Sequence, residues 1–232
     1  MARVRKFAIQ VSLVLLACAV LLGGCESGET KDVEMTPAER EKARLLRAVD
    51  RNFENPQAHF ELGRLYQADG LWTQAEHQYN ITLSFDPVHR EAQAAMVKVL
   101  ADGGNAAKSA LSADIYMNQT SGSAAGSLRL GLAFQNQGLD EYAFACYRQA
   151  LHLAPNSAKV NRQIGYYYLS RNEKVRAQDY LRRSFQLNSN QPEVAGELGR
   201  LGVAVKIPRK TEKSTRGLDK IVEESDRSPQ TQ

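Results

Sequence analysis

Residues 128–155 read LRLGLAFQNQGLDEYAFACYRQALHLAP. Leu130 and Phe134 lie four residues apart and form one apolar helix stripe. Gly131, beside that stripe, lets a second helix approach closely. Gly138 marks a turn, since glycine adopts the positive φ that ends a helix. Ala143 then opens the inner face of a second helix, and Tyr147, one turn later, fills the gap beyond it. Pro155 stops that helix. The segment predicts an antiparallel helix pair and carries no residue set equipped for catalysis.

The same pattern recurs outward with a period of 34 residues, in abutting windows that start at Pro56, Arg90, Ala124 and Ala158. Their seventh and eighth residues are Leu62-Gly63, Met96-Val97, Leu130-Gly131 and Ile164-Gly165. The eleventh are Tyr66, Leu100, Phe134 and Tyr168. The fifteenth are Gly70, Gly104, Gly138 and Asn172, all tolerant of positive φ. The twentieth are Ala75, Ser109, Ala143 and Ala177, and the twenty-fourth are Tyr79, Ala113, Tyr147 and Leu181. Pro87 and Pro155 close the first and third units. The second unit departs, with Val97 in the small position, Ala113 in the aromatic one and Ser121 for the proline. The fourth carries Ser189 there.

These residues resemble the tetratricopeptide repeat (TPR). The resemblance covers 56–191 as four units, 56–89, 90–123, 124–157 and 158–191. It implies an all-α fold, an antiparallel helix-pair solenoid of about four repeats with capping helices. Stacked repeats leave an apolar face at each end, so caps are expected. Thr36-Pro37-Ala38-Glu39 reads as a capping box with proline at the first helical position, opening an N-terminal capping helix within 36–54. PEVAGELGRLGVAV, 192–205, begins like a fifth first helix, with Leu198-Gly199 in register, and predicts a C-terminal cap. The tail, 206–232, is polar and is expected to be mostly disordered, with a transient helix near 218–224.

The N-terminus has another grammar. Arg3, Arg5 and Lys6 precede an apolar run from Phe7 to Leu22, then Leu22-Gly23-Gly24-Cys25. A positive start, an apolar stretch and small residues before a cut site describe a secretory signal over 1–24. The last four residues resemble the lipobox of bacterial lipoproteins, which implies lipidation of Cys25, with 25–35 as a tether. The alternative is an uncleaved N-terminal anchor; both place the chain in the envelope, attached to a membrane. Glu26, rather than Asp, follows the cysteine, which in Gram-negative lipoproteins implies the periplasmic face of the outer membrane.

Composition narrows the function classes. The 232 residues carry a formal charge of +4, with 43% hydrophobic residues. Loss of Arg3, Arg5 and Lys6 with the leader reduces that charge to about +1, which gives no electrostatic case for nucleic acid. Cys18 would leave with the leader and Cys25 would be lipidated, so Cys146 has no disulfide partner and reads as a buried thiol. His59, His77, His89 and His152 have no zinc-ligand spacing. There is no phosphate loop, nucleophile elbow or Cys-His arrangement. The reading is therefore a non-enzyme, with no cofactor, metal or small-molecule substrate.

Repeat stacks of this family bind partners on a concave surface of first helices, at the second, fifth, ninth and twelfth or thirteenth residues of each unit. The resemblance thus implies a groove lined by Gln57, Phe60, Arg64 and Gln67; Glu91, Lys98 and Asp102; Leu128, Leu132, Gln135 and Asn136; Lys159, Arg162, Tyr166 and Leu169; and Arg200 on the cap. Such a lining suits an extended or helical peptide with apolar anchors and acidic groups. The carboxylate clamp of chaperone-binding relatives requires Asn at the ninth residue, where Arg64, Lys98, Leu132 and Tyr166 stand. The expected function is a membrane-anchored scaffold for a protein or peptide partner, an assembly factor for an envelope, pilus or secretion complex. A regulator or tether of a cell-wall enzyme and a periplasmic chaperone for exported chains are the alternatives.

Overall fold

A computed structural model describes residues 35–205. The lipobox, Cys25, nearly all of the tether and the 206–232 tail lie outside the described residues. Those described fall into two units, one ending at Arg40 and one starting at Glu41.

In the first, the capping box forms. Glu39 N–H donates to Thr36 Oγ1 at 3.2 Å, and Thr36 N–H donates back to Glu39 Oε2 at 2.7 Å. That backbone N–H is the main reason the Glu39 carboxyl is held below its usual pKa. The box opens helix α1, Pro37–Arg51.

From Glu41 onward every regular element among the described residues is an α-helix. The repeat units are the pairs α2 (Pro56–Ala68) and α3 (Trp72–Phe85), α4 (Arg90–Asp102) and α5 (Ala106–Gln119), α6 (Ala124–Asn136) and α7 (Asp140–Leu153), and α8 (Ala158–Ser170) and α9 (Lys174–Leu187). α10, Pro192–Arg200, follows. Each first helix packs along its own second helix, and the pairs stack in chain order as an all-α helix-pair solenoid. Side-chain oxygens of Asn55, Ser123 and Ser157 cap the first helices of units one, three and four by accepting from the third N–H, which explains the sharp starts. The fifteenth residues all have positive φ: Gly70 at 72°, Gly104 at 85°, Gly138 at 71° and Asn172 at 59°.

The pairs lock through residues eight and twenty-four. A Cβ on Gly63 would lie 2.6 Å from Tyr79 Cε1, one on Gly131 2.7 Å from Tyr147 Cε1, and one on Gly165 2.6 Å from Leu181 Cδ2. The second unit inverts the sizes, with Val97 and Ala113 fully buried in one cluster. The two departures of that unit are one compensated exchange of bulk. Ser109 Oγ also donates to Val97 O at 2.7 Å, so the buried hydroxyl is satisfied.

α10 caps the stack by burying Val194 and Leu198 against Leu181 and Phe185. At the other end, Lys42 of α1 lies 4.5 Å from the centre of the Tyr66 ring and 3.7 Å from Asp69.

Candidate functional site

One face of the first helices is open at the same repeat positions in every unit. The ninth and thirteenth residues are Arg64 and Ala68, Lys98 and Asp102, Leu132 and Asn136, and Tyr166 and Ser170; all are exposed or half-buried. They lie one turn apart on each helix, so the stacking of first helices places them on one side. Leu132 is 41% exposed.

The structure corrects part of the expected lining. Phe60 and Leu128 do not line a surface: they are 7% and 6% exposed. In the first three units the fifth residue of the first helix is buried, and the Phe60 ring centre lies 5.9 Å from that of Tyr79 and 4.6 Å from that of His89. Gln67 and Gln135 are half-buried and committed internally. Tyr79 Oη donates to Gln67 Oε1 and Tyr147 Oη to Gln135 Oε1, each at 2.6 Å. Gln67 Nε2 reaches past the second unit to donate to Gln137 at 3.1 Å. Burial raises the pKa of both phenols well above the ordinary range, so they remain donors.

The charged members are paired within the chain. Lys98 bonds Asp102 at 2.7 Å, one helical turn on. Arg64 pairs with Glu61 at 3.0 Å and sits over the Phe60 ring, while Gln57 donates to the same Glu61. Arg162 is tied to the cap, 3.0 Å from Glu193 and 3.3 Å from Gln191. Tyr166 packs against the apolar cluster under α10. Glu91 lies 3.4 Å from His89, and Arg200 pairs with Glu197. Asn136 is exposed, and Lys159 and Leu169 are half-buried.

What remains is a ridge of exposed Leu132 and Asn136, flanked by charge pairs that are screened and cheap to rearrange. His59 belongs to the interior: its ring nitrogens contact Gln78 Oε1 at 2.7 Å and Phe53 O at 2.9 Å. Among the described residues, no group of three His, Cys, Asp or Glu could hold a metal, and no helix is long and apolar enough to cross a membrane.

No protein-family model matches the chain, and no curated protein matches it at a significant level. Among solved structures it is similar to TTC0263, a thermophilic TPR protein of Thermus thermophilus, at 16% identity and a TM-score of 0.43, over 69% of this chain and 88% of that one. It is similar to pilF of Pseudomonas aeruginosa at 26% identity and a TM-score of 0.37, over 63% of this chain and 67% of that one. It is also similar to MamA at 14% identity and a TM-score of 0.35, over 69% of this chain and 99% of that one.

Proposed function

We propose that the chain is a non-enzymatic scaffold that holds a protein or peptide partner on the open face of its first helices. The observation that carries this reading is the row of ninth and thirteenth residues, exposed or half-buried in all four units and apolar at Leu132. Such a surface offers an apolar anchor at its centre and exchangeable charges around it, the layout of a peptide-binding hot spot. Leu22-Gly23-Gly24-Cys25 supports a second component: export, lipidation of Cys25 and attachment to the envelope, at the periplasmic face of the outer membrane. A tethered scaffold of this kind serves as an assembly factor for an envelope, pilus or secretion complex.

A photo-crosslinking residue at position 132, with a control at exposed Leu111 on α5, tests the binding face in cells. One stoichiometric product specific to position 132 is expected, and its identity separates a machine component from a cell-wall hydrolase or a broad set of chaperone clients. Equal products at both positions, or none at 132, would remove the first-helix face as the binding surface. Metabolic labelling with a fatty acid tests the anchor; label retained in Cys25→Ala overturns it.

A further inference from the structure

A second site lies on the side of the second helices, where units three and four meet. Here α7 and α9 stand apart over Ile164 and leave a cleft of about 330 Å³. Tyr147 and Ile164 form its floor, Phe144 and Tyr180 its apolar walls, and Arg148 and His152 its rim. The walls are held in place. Buried Tyr168 packs against both, its ring centre 6.2 Å from that of Phe144 and 5.6 Å from that of Tyr180.

Repeat register shows that this cleft is not framework. At the first boundary the equivalent positions hold Glu76, Asn80, Ser84 and Ser112; at the second, Ala110, Asp114, Asn118 and Cys146. Only the third boundary has Phe144, Arg148, His152 and Tyr180. The first is also bridged by an ion pair between Glu76 and Lys108. Phe144 replaces that glutamate at the third. Arg176, which stands where Lys108 does, pairs instead with Glu173 and lies over Tyr168. The substitutions that open the cleft therefore also give it aromatic walls and a cationic rim.

Arg148 is exposed, and no acidic side chain pairs with it among the described residues. We propose that this cleft is a second peptide-docking site, which takes one aromatic or large aliphatic side chain with a carboxylate next to it. The apolar side chain enters between Phe144 and Tyr180, and the carboxylate meets Arg148. The volume is at the low end for ligand pockets, and the rim offers one guanidinium, that of Arg148, without the converging donors and acceptors that orient a small molecule. That favours a side chain presented by a peptide. The cleft faces away from the first-helix row, so the site stands independently of the function proposed above.

The test uses the full chain in detergent and three fluorescein-labelled nine-residue peptides of Ser and Gly. One carries a central Phe-Glu-Glu, one Phe-Lys-Lys and one Ser-Glu-Glu, and binding is read by fluorescence polarisation. The Phe-Glu-Glu probe is expected to bind at least about ten-fold more tightly than the other two. Arg148→Glu should erase its advantage over Phe-Lys-Lys. Phe144→Ala and Tyr180→Ser should weaken it similarly. Leu132→Glu should leave it unchanged. Arg148 is exposed, so its variant stays informative even if an aromatic variant fails to fold. The proposal is overturned if Arg148→Glu has no effect, if Ser-Glu-Glu binds equally well, or if Leu132→Glu alone abolishes binding. It is equally overturned if the probe binds only after residues 206–232 are deleted, since the occupant would then be a part of the chain's own 206–232 tail.

Discussion

The ring of Tyr147 lies directly against the Cα of Gly131: a Cβ there would sit 2.7 Å from Cε1 and 3.0 Å from Cys146 Cβ. Real Cβ atoms do not approach carbon so closely, and Tyr147 is a rigid ring only 1% exposed. Gly131→Ala should therefore destabilise by about 1–3 kcal/mol, despite the better helix propensity of alanine. Gly199 holds the matching position on α10, where a Cβ meets nothing within 4 Å among the described residues. Gly199→Ala should be neutral or stabilising by up to about 1 kcal/mol. Urea midpoints of the two variants check this. Equal shifts would mean that the pair contact does not set the glycine requirement.

The second unit offers the converse test. Val97→Gly removes a fully buried side chain opposite a small neighbour, Ala113, and adds the backbone entropy of a helical glycine. A loss of about 2–4 kcal/mol is expected. If residues eight and twenty-four exchange bulk, Val97→Gly with Ala113→Tyr should recover at least about 1 kcal/mol of that loss, whereas Ala113→Tyr alone should overpack the pair. Additive losses in the double-mutant cycle would show that unit two is paired differently from its neighbours.

The helix pairs were legible because turn glycines, small contacts and aromatics each recur at a constant offset. What could not be read was which face a side chain serves when its partner sits on another helix. Phe60 and Leu128 share the periodicity of a lining residue but turn into the inter-helix layer. Gln67 and Gln135 read as polar surface, yet each is taken up by a tyrosine on the following helix. Val97 and Ala113 read as two defects because size complementarity belongs to the pair and not to either position. The cleft between α7 and α9 had a signal in Phe144, Arg148, His152 and Tyr180, which break the repeat consensus together, but its opening depends on a missing bridge between helices.

Arg162 links the repeat array to its cap. Its guanidinium contacts Glu193 and Gln191 of the α10 start, and the Arg162 and Glu193 side chains remain 33% and 49% exposed. Solvent screening limits the pair to about 1 kcal/mol or less. Arg162→Glu should lower stability by that order and raise hydrogen exchange in α10 before it does so in α6. Arg162→Glu with Glu193→Arg should restore protection of α10. Unchanged exchange in the single variant would show that the apolar contacts of Val194 and Leu198 alone hold the cap.

Cys146 makes the last prediction, and its direction follows from burial. The thiol is fully buried, and burial pushes its pKa from about 9 up to about 12. A thiolate is the reactive form, so native Cys146 should resist iodoacetamide at pH 8. Its labelling, followed by mass spectrometry of the peptide that contains it, should rise only in step with denaturant unfolding. The same shift ties stability to pH. The folded chain holds the proton more tightly than the unfolded one, so this contribution is complete below pH 9. It falls away as pH rises from 9 through about 12. The raised phenol pKa values of Tyr79 and Tyr147 act in the same direction above pH 10. Stability should thus be flat from pH 7 to 9 as far as these groups go, then decline, and Cys146→Ala should make the first part of that decline shallower. Labelling of native Cys146 at the rate of a free thiol, or an unchanged alkaline slope in Cys146→Ala, would show that the thiol is not sealed between α6 and α7.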